Sequence, residues 1–116
     1  MVNLTYGYGG RVDYTGALVD GTKICIDWKS TGTKEGRKVY PYSSWVMQMG
    51  ATSMLVNHDG LYANVVISST EPGRIELIIY DNEELYRGWK MFSLCLELWR
   101  LSPNGGRKPF PYERIV

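Results

Sequence analysis

The chain has 116 residues, of which 44% are hydrophobic and 22% are charged, and its formal net charge at neutral pH is +1. A chain of this length forms one domain with its own core, and this composition excludes a disordered protein. The near-neutral charge gives no sign of a polyanionic partner, so a nucleic-acid surface would need local clusters of Lys and Arg. Because no stretch approaches the ~20 apolar residues of a membrane span and the N-terminus lacks a signal-peptide pattern, we expect a cytoplasmic protein that uses no membrane.

Two alternating segments near the N-terminus predict a β-hairpin. They are GRVDYTGAL at 10–18 and TKICIDW at 22–28, and a Val-Asp-Gly turn signal separates them. In a strand, residues two apart point the same way. Asp27 and Lys29 therefore share one face of the second strand, while Trp28 lies on the other.

The length of the turn decides whether Asp13 joins this face. A two-residue turn of Asp20 and Gly21 would place Asp13 and Asp27 on opposite faces, because a slip of one residue reverses every side chain. A three-residue loop from Val19 to Gly21, with Gly21 in the left-handed conformation, pairs Asp13 directly with Asp27. We predict the three-residue loop. Two unpaired carboxylates roughly 5 Å apart repel each other but suit a divalent cation.

The middle of the chain predicts a loop, a helix and a second strand pair. Residues 30–41 contain glycines and basic residues and predict an exposed loop, whereas the serine-capped segment 43–55 predicts a helix. After a turn at 57–60, which holds the expected surface residue His58, strands are predicted at 61–69 and 74–80 around a TEPG turn.

The strongest helical pattern begins at Asp81, where Glu84 completes a capping box. Apolar residues then recur at helical spacing, and all of them are expected in the core: Leu85, Trp89, Phe92, Leu96 and Trp99. Cys25 and Cys95 are both expected to be reduced thiols in the core. The predicted order is ββαββα, a mixed central sheet flanked by helices. It makes one α/β (α+β) domain over 1–116, with an N-terminal segment at 1–9 and an extended tail at 102–116.

Asp13, Asp27 and Lys29 form a set that suits the hydrolysis of a phosphodiester. Carboxylate oxygens are the ligands that Mg²⁺ or Mn²⁺ prefers, and these ions also bind phosphate oxygens. A lysine beside such an ion can orient an attacking water or offset the charge that builds in the transition state. The residues therefore predict a nuclease that depends on Mg²⁺ or Mn²⁺.

GRVD at 10–13, IDWKST at 26–31 and a helix that contains Gln48 together resemble the PD-(D/E)XK nucleases. The likeness is to the RecB-like branch, which includes the mitochondrial genome maintenance and phage exonucleases, and it covers about residues 10–101. The resemblance implies a restriction-endonuclease-like minimal core and, if the protein is viral, a place in the host cytoplasm. Family members carry a helix before these strands, which we expect to be missing here or supplied by another subunit.

The same resemblance implies a role for each matching residue. Asp13 and Asp27 would bind the metal together with the backbone carbonyl of Trp28. Lys29 would be the catalytic lysine, and Gln48 would orient the site.

A basic and aromatic cluster follows the second strand, and we expect it to bind DNA. Its members are Ser30, Lys34, Arg37, Lys38 and Tyr40. Such residues track the phosphate backbone and stack on bases, although a solvated loop is the alternative interpretation.

The sequence thus predicts a metal-dependent deoxyribonuclease whose partner is DNA. The short chain slightly favours an endonuclease over an exonuclease, and a homodimer or higher homo-oligomer would be able to replace the missing helix. The alternative function is a DNA-binding accessory protein that keeps the metal site but cleaves poorly. A purely structural role is the third hypothesis.

Overall fold

A computed structural model describes residues 2–3, 5–56 and 59–102 of the chain. A small antiparallel pair contains β1 (Val2–Asn3) and β2 (Tyr8–Gly9). The main sheet contains β3 (Tyr14–Ala17), β4 (Lys23–Thr31), β5 (Leu61–Ser68) and β6 (Ile75–Tyr80). The helices are α1 (Ser43–Val56) and α2 (Asn82–Leu101). The α/β class and the ββαββα order of the main elements are confirmed, and the β1–β2 pair is an addition that the sequence pattern does not predict.

The main sheet is mixed, with the strand order β3-β4-β5-β6. Strands β4 and β5 run parallel, and the other two pairs are antiparallel. A parallel pair needs a crossover connection, which α1 provides between β4 and β5. The first hairpin and the second hairpin are therefore joined through a βαβ unit.

The first hairpin has the predicted three-residue loop. The Leu18 N–H donates to the Thr22 carbonyl over 2.8 Å, Gly21 has a φ of 90°, and Tyr14 pairs with Ile26. The Thr22 N–H also donates to Asp20 Oδ1 over 2.9 Å, which fixes the loop. This register, continued by one position, brings residue 13 opposite residue 27.

The strands of this hairpin differ from the prediction at their far ends. Strand β3 begins at Tyr14, so Asp13 lies just before the strand instead of within it. Strand β4 continues to Thr31, three residues past the predicted end, because β5 pairs beside it as far as Ser68. The beginning of the predicted 30–41 loop is therefore strand.

The second hairpin and both helices agree with the prediction. The β5–β6 connection holds Gly73 at a φ of 81°. Helix α1 begins at Ser43 as predicted and ends one residue later than predicted. At the start of α2, the Glu84 N–H donates to Asp81 Oδ1 over 2.7 Å and the Asp81 N–H donates to Glu84 Oε1 over 3.2 Å, which is the predicted capping box.

The core lies on one face of the main sheet, between the sheet and the helices. One buried cluster joins sheet and helix residues, namely Cys25, Val46, Met49, Tyr62, Tyr80 and Leu85. A second cluster of Tyr8, Ala51 and Trp89 packs the N-terminal segment onto the helix pair. The helices touch closely at Gly88, where an added Cβ would lie 2.1 Å from the Val46 carbonyl oxygen. The face of the sheet turned toward this core is called the inner face below.

Two predictions about the core are wrong. Trp99 is 40% exposed, and Cys95 is exposed on α2, where its thiol contacts Met47 Sδ at 3.8 Å. Helix α2 has 20 residues and α1 has 14, so the C-terminal turns of α2 extend beyond the helix that covers its first half. Both cysteines are free thiols, as predicted.

Some predicted features lie outside the described residues. They are His58 and the tail from residue 103 onward, including most of the predicted 102–116 arm. Within the described part of the chain, neither helix combines the length and the apolar character that a membrane crossing requires.

Candidate active site

The predicted aspartate pair meets at the far end of the first hairpin. Asp13 precedes β3 and is exposed, whereas Asp27 lies in the middle of β4 and is 9% exposed. The Trp28 N–H donates to Asp13 Oδ2 over 3.0 Å, which turns the Asp13 carboxylate toward β4. The two carboxyl groups are close enough to share a hydrogen bond. The structure therefore brings together the two residues that the register argument pairs.

The two carboxyl groups of this pair have opposite electrostatics. Burial raises the pKa of Asp27, and the nearby Asp13 carboxylate raises it further. The pKa of Asp13 is lowered by its hydrogen bond with Asp27 and by the Trp28 N–H. When one proton is present, it therefore resides on Asp27. Cys25, two residues earlier on the same face, offers no competing nucleophile because burial raises its pKa to about 11.

Lys29 and Gln48 complete the cluster. Lys29 Nζ lies 2.9 Å from Asp27 Oδ2, and the same ammonium group donates a hydrogen bond to Gln48 Oε1. Gln48 reaches this position from α1, because the crossover helix packs against the inner face of β4 and β5. All four side chains predicted to be catalytic therefore lie in one continuous set of contacts.

The donor atoms of this cluster fit a hard divalent cation. Asp27 Oδ2 is shielded from solvent, and although Lys29 Nζ is near, no described residue gives it a hydrogen bond of good geometry. Such an orphaned, anionic oxygen beside a second carboxylate suits Mg²⁺ or Mn²⁺, which take oxygen ligands and keep several waters. Among the described residues no group of three His, Cys, Asp or Glu side chains is assembled, so two carboxylates are what this part of the chain offers. Trp28 contributes its N–H, and the role predicted for its carbonyl stays a prediction.

Behind Asp27 lies a buried polar pair that the sequence analysis missed. Asn64 is fully buried directly opposite Asp27 in the β4–β5 register, and its Nδ2 donates to the Asp27 carbonyl over 3.1 Å. The Tyr80 hydroxyl donates to Asn64 Oδ1. A single amide inside the otherwise apolar strand LYANVVIS is the signal that would have revealed it, since buried polar groups need partners.

The predicted DNA-binding residues divide into two sets. Lys34, Arg37, Lys38 and Tyr40 line one cleft of about 340 Å³ together with Thr31 and Tyr42. Thr31 follows Lys29 by two residues on the same face of β4, so the cleft continues from the aspartate–lysine cluster. Ser30 instead alternates to the opposite face of β4, beside Trp28, and does not line the cleft.

Arg74 holds the backbone of the basic segment in place. Its Nη1 donates to the Lys34 carbonyl over 2.9 Å and its Nη2 donates to the Arg37 carbonyl over 2.6 Å. Glu71 and Glu76 bind the same guanidinium at 2.7 and 3.0 Å, which fixes its orientation. The cations of the segment are therefore presented from an ordered backbone, a feature that the sequence pattern does not indicate.

A second cleft of about 410 Å³ adjoins the site at Gln48. It lies between the N-terminal segment and the two helices, and its other walls include Tyr8, Met47, Phe92 and Cys95. This cleft is mainly apolar, in contrast to the basic cleft on the other side of Lys29.

Comparison with protein-family models, curated proteins and solved structures finds no match for this chain. The resemblance to PD-(D/E)XK nucleases therefore depends on the four clustered residues and their order along the chain.

Proposed function

We propose that this protein is a deoxyribonuclease that depends on Mg²⁺ or Mn²⁺ and hydrolyses the phosphodiester bonds of DNA. The observation that carries the proposal is the contact set of Asp13, Asp27, Lys29 and Gln48 at the mouth of a basic cleft. A cytoplasmic location belongs to the same proposal and is supported by the two free cysteines.

Each residue of the set has a task in this chemistry. Asp13 and Asp27 would hold the cation, which when bound polarises a phosphate oxygen and makes water a stronger nucleophile. The Lys29 ammonium is placed to offset the negative charge that develops on the phosphate oxygens. Gln48 holds that ammonium beside Asp27 through its hydrogen bond, so the charge is oriented before substrate arrives.

The basic cleft supplies the surface for the nucleic acid. Its cationic side chains can neutralise phosphates, and Tyr40, which is 68% exposed, offers a ring for a base to stack on. Because Lys34, Arg37, Lys38 and Tyr40 are all exposed, the cleft admits a strand that continues in both directions. This openness slightly favours an endonuclease over an exonuclease.

A DNA-binding accessory protein with weak cleavage is the second candidate. It is favoured by one observation, which is that the described residues bring two carboxylates together but no third acidic, histidine or cysteine ligand. The two candidates share DNA binding and differ in turnover.

The test is cleavage of labelled linear double-stranded, single-stranded and closed circular DNA with Mg²⁺ or Mn²⁺. Lys29→Met and Asp27→Ala should each abolish cleavage, whereas Lys23→Met, at the exposed start of the same strand and on the same face, should leave it intact. Cutting of the circle identifies an endonuclease, and loss of linear DNA alone identifies an exonuclease. DNA binding without cleavage by the wild type supports the accessory protein instead.

Metal binding is measured separately from turnover by thermal unfolding. A ligand that binds only the folded chain stabilises it by about 2.7 kcal/mol at a hundredfold excess over Kd, so Mg²⁺ or Mn²⁺ should raise the Tm of the wild type. The rise should disappear in Asp27→Ala and persist in Lys23→Met. If neither cation changes the Tm of the wild type, the site assignment is wrong.

A further inference from the structure

The face of the main sheet opposite the helices is apolar and bare, and it is called the outer face here. Six large side chains on it are between 47% and 64% exposed: Tyr14, Trp28, Ile67, Ile75, Leu77 and Ile79. They form rows across the strands, because Trp28 pairs with Val65 and Val65 with Leu77. None of the described elements covers them.

The charges of the sheet are all on the inner face. Strands β3 to β6 contain four charged residues, Lys23, Asp27, Lys29 and Glu76, and each has the alternation of the inner-face residue Cys25 or its cross-strand neighbours. An antiparallel pair with one wet face normally places its polar residues on that face. Here the strands place their polar residues toward the helices and their isoleucines toward solvent, which is the pattern of a face that is buried in the working protein.

We infer that the outer face is the contact surface of a homodimer, in which two copies of the sheet pack face to face. Half of a large side chain amounts to on the order of 100 Å², so six of them offer about 600 Å² per subunit. That area exceeds what an ordinary monomer leaves exposed in most patches and approaches the roughly 800 Å² per partner of a standard interface. Sheets that pack in this way interdigitate their inner side chains at a spacing of about 10 Å.

A second copy suits this surface better than other occupants do. Because the strands place no charge on the outer face, two identical faces meet without like-charge repulsion, as an isologous contact requires. A lipid surface is recruited by basic residues around an apolar face, and these strand positions contain none. The inference does not depend on the nuclease proposal, since no catalytic side chain points to the outer face.

The experiment is the mass of the full chain in solution, measured by sedimentation over a wide range of concentration. The wild type should sediment with the mass of two chains and dissociate on dilution. Leu77→Glu and Ile75→Lys should each give monomers with an unchanged circular dichroism spectrum, because a buried charge in the interface has no partner. Two variants are used so that one remains informative if the other does not fold.

Leu94→Glu is the matched control, since Leu94 is 64% exposed on α2 and Leu77 is 57% exposed on β6. This control should remain dimeric. A wild type that is monomeric at every concentration would overturn the inference, whether residues 103–116 or a different protein then covers the face. Monomers from Leu94→Glu with dimers from Leu77→Glu would also overturn it and would place the contact on α2.

Discussion

Asp27 is the residue on which the charges of the candidate site converge. Its carboxylate contacts Asp13 and Lys29, and its backbone carbonyl accepts a hydrogen bond from Asn64. Burial of this carboxylate costs stability once it is ionised, because water no longer solvates the charge. A folded chain has a reason to keep such a residue only if a ligand uses it.

Replacement of Asp27 by asparagine should therefore stabilise the chain when metal is absent. The pKa of Asp27 is raised in the folded state, so its contribution to stability is present below the ordinary pKa of a carboxyl group and is lost as pH rises through the raised value. In EDTA at pH 7, Asp27→Asn should have a higher Tm than the wild type, and the difference should shrink as the pH falls below the ordinary carboxyl range. Asp59→Asn is the control, and a gain that does not depend on pH would contradict the explanation.

The buried pair of Asn64 and Tyr80 makes a second prediction at the scale of single residues. Tyr80→Phe removes the donor to Asn64 Oδ1 and leaves a fully buried acceptor without it. An unsatisfied buried group costs about 1–3 kcal/mol, which chemical denaturation can resolve. Tyr86→Phe, at a 63% exposed position on α2, should change the free energy of unfolding by less than about 0.5 kcal/mol. Equal losses in the two variants would show that the buried pair contributes nothing special.

At the scale of elements, the segment after β4 is ordered by its neighbours more than by its own sequence. The Thr33 N–H donates to Thr70 Oγ1 over 2.9 Å, and Arg74 binds two carbonyls of the segment from the β5–β6 connection. The DNA-binding surface therefore depends on the second hairpin, although no cation of that surface comes from it.

Arg74→Lys should weaken DNA binding by about tenfold, which is about 1.4 kcal/mol. A lysine keeps the positive charge but cannot donate to both carbonyls in the planar geometry of a guanidinium. Binding is measured by fluorescence anisotropy of labelled DNA in EDTA, so that no cleavage occurs. Arg87→Lys on α2 is the control and should bind as the wild type does. An unchanged affinity in Arg74→Lys would mean that the segment keeps its shape without the clamp.

The elements that local patterns define were predictable from the sequence, and the differences arise where a distant element intervenes. The three-residue loop depends on Gly21 and the start of α2 depends on Asp81, and both follow from short-range chemistry. Strand β4 continues past its predicted end because β5 pairs with it, and helical spacing does not tell that α1 is too short to cover Trp99. Gln48 was assigned by resemblance, and its contact with Lys29 is a product of the crossover.

At the scale of the whole molecule, a net charge of +1 leaves the affinity for DNA to one local cluster. Three cations line the basic cleft, and each neutralised phosphate contributes about −0.9 to the slope of log K against log salt concentration. The slope for double-stranded DNA should therefore be about −3, and Lys34→Ala should reduce its magnitude by about one. Lys23→Ala should leave it unchanged. A slope near zero in the wild type would exclude the cleft as a phosphate-binding surface.

The bare outer face was beyond prediction because β5 and β6 carry apolar residues on both sides of the strand. In such strands, hydrophobicity alone does not show which side meets the helices. The side was decided by Asp27, Asn64 and Glu76, whose polar atoms find partners on the inner face.

The parallel pairing of β4 with β5 has a consequence for the order in which the chain folds. Asp13 and Asp27 are brought together by a hairpin with a three-residue loop, whereas Asn64 reaches Asp27 only after α1 has crossed the sheet. Short loops close early and long crossovers close late. The two carboxylates thus meet while water still surrounds them, and the cost of removing that water falls on the docking of β5. Ionisation of Asp27 therefore slows the late, long-range step of folding and leaves the nucleating turn unaffected.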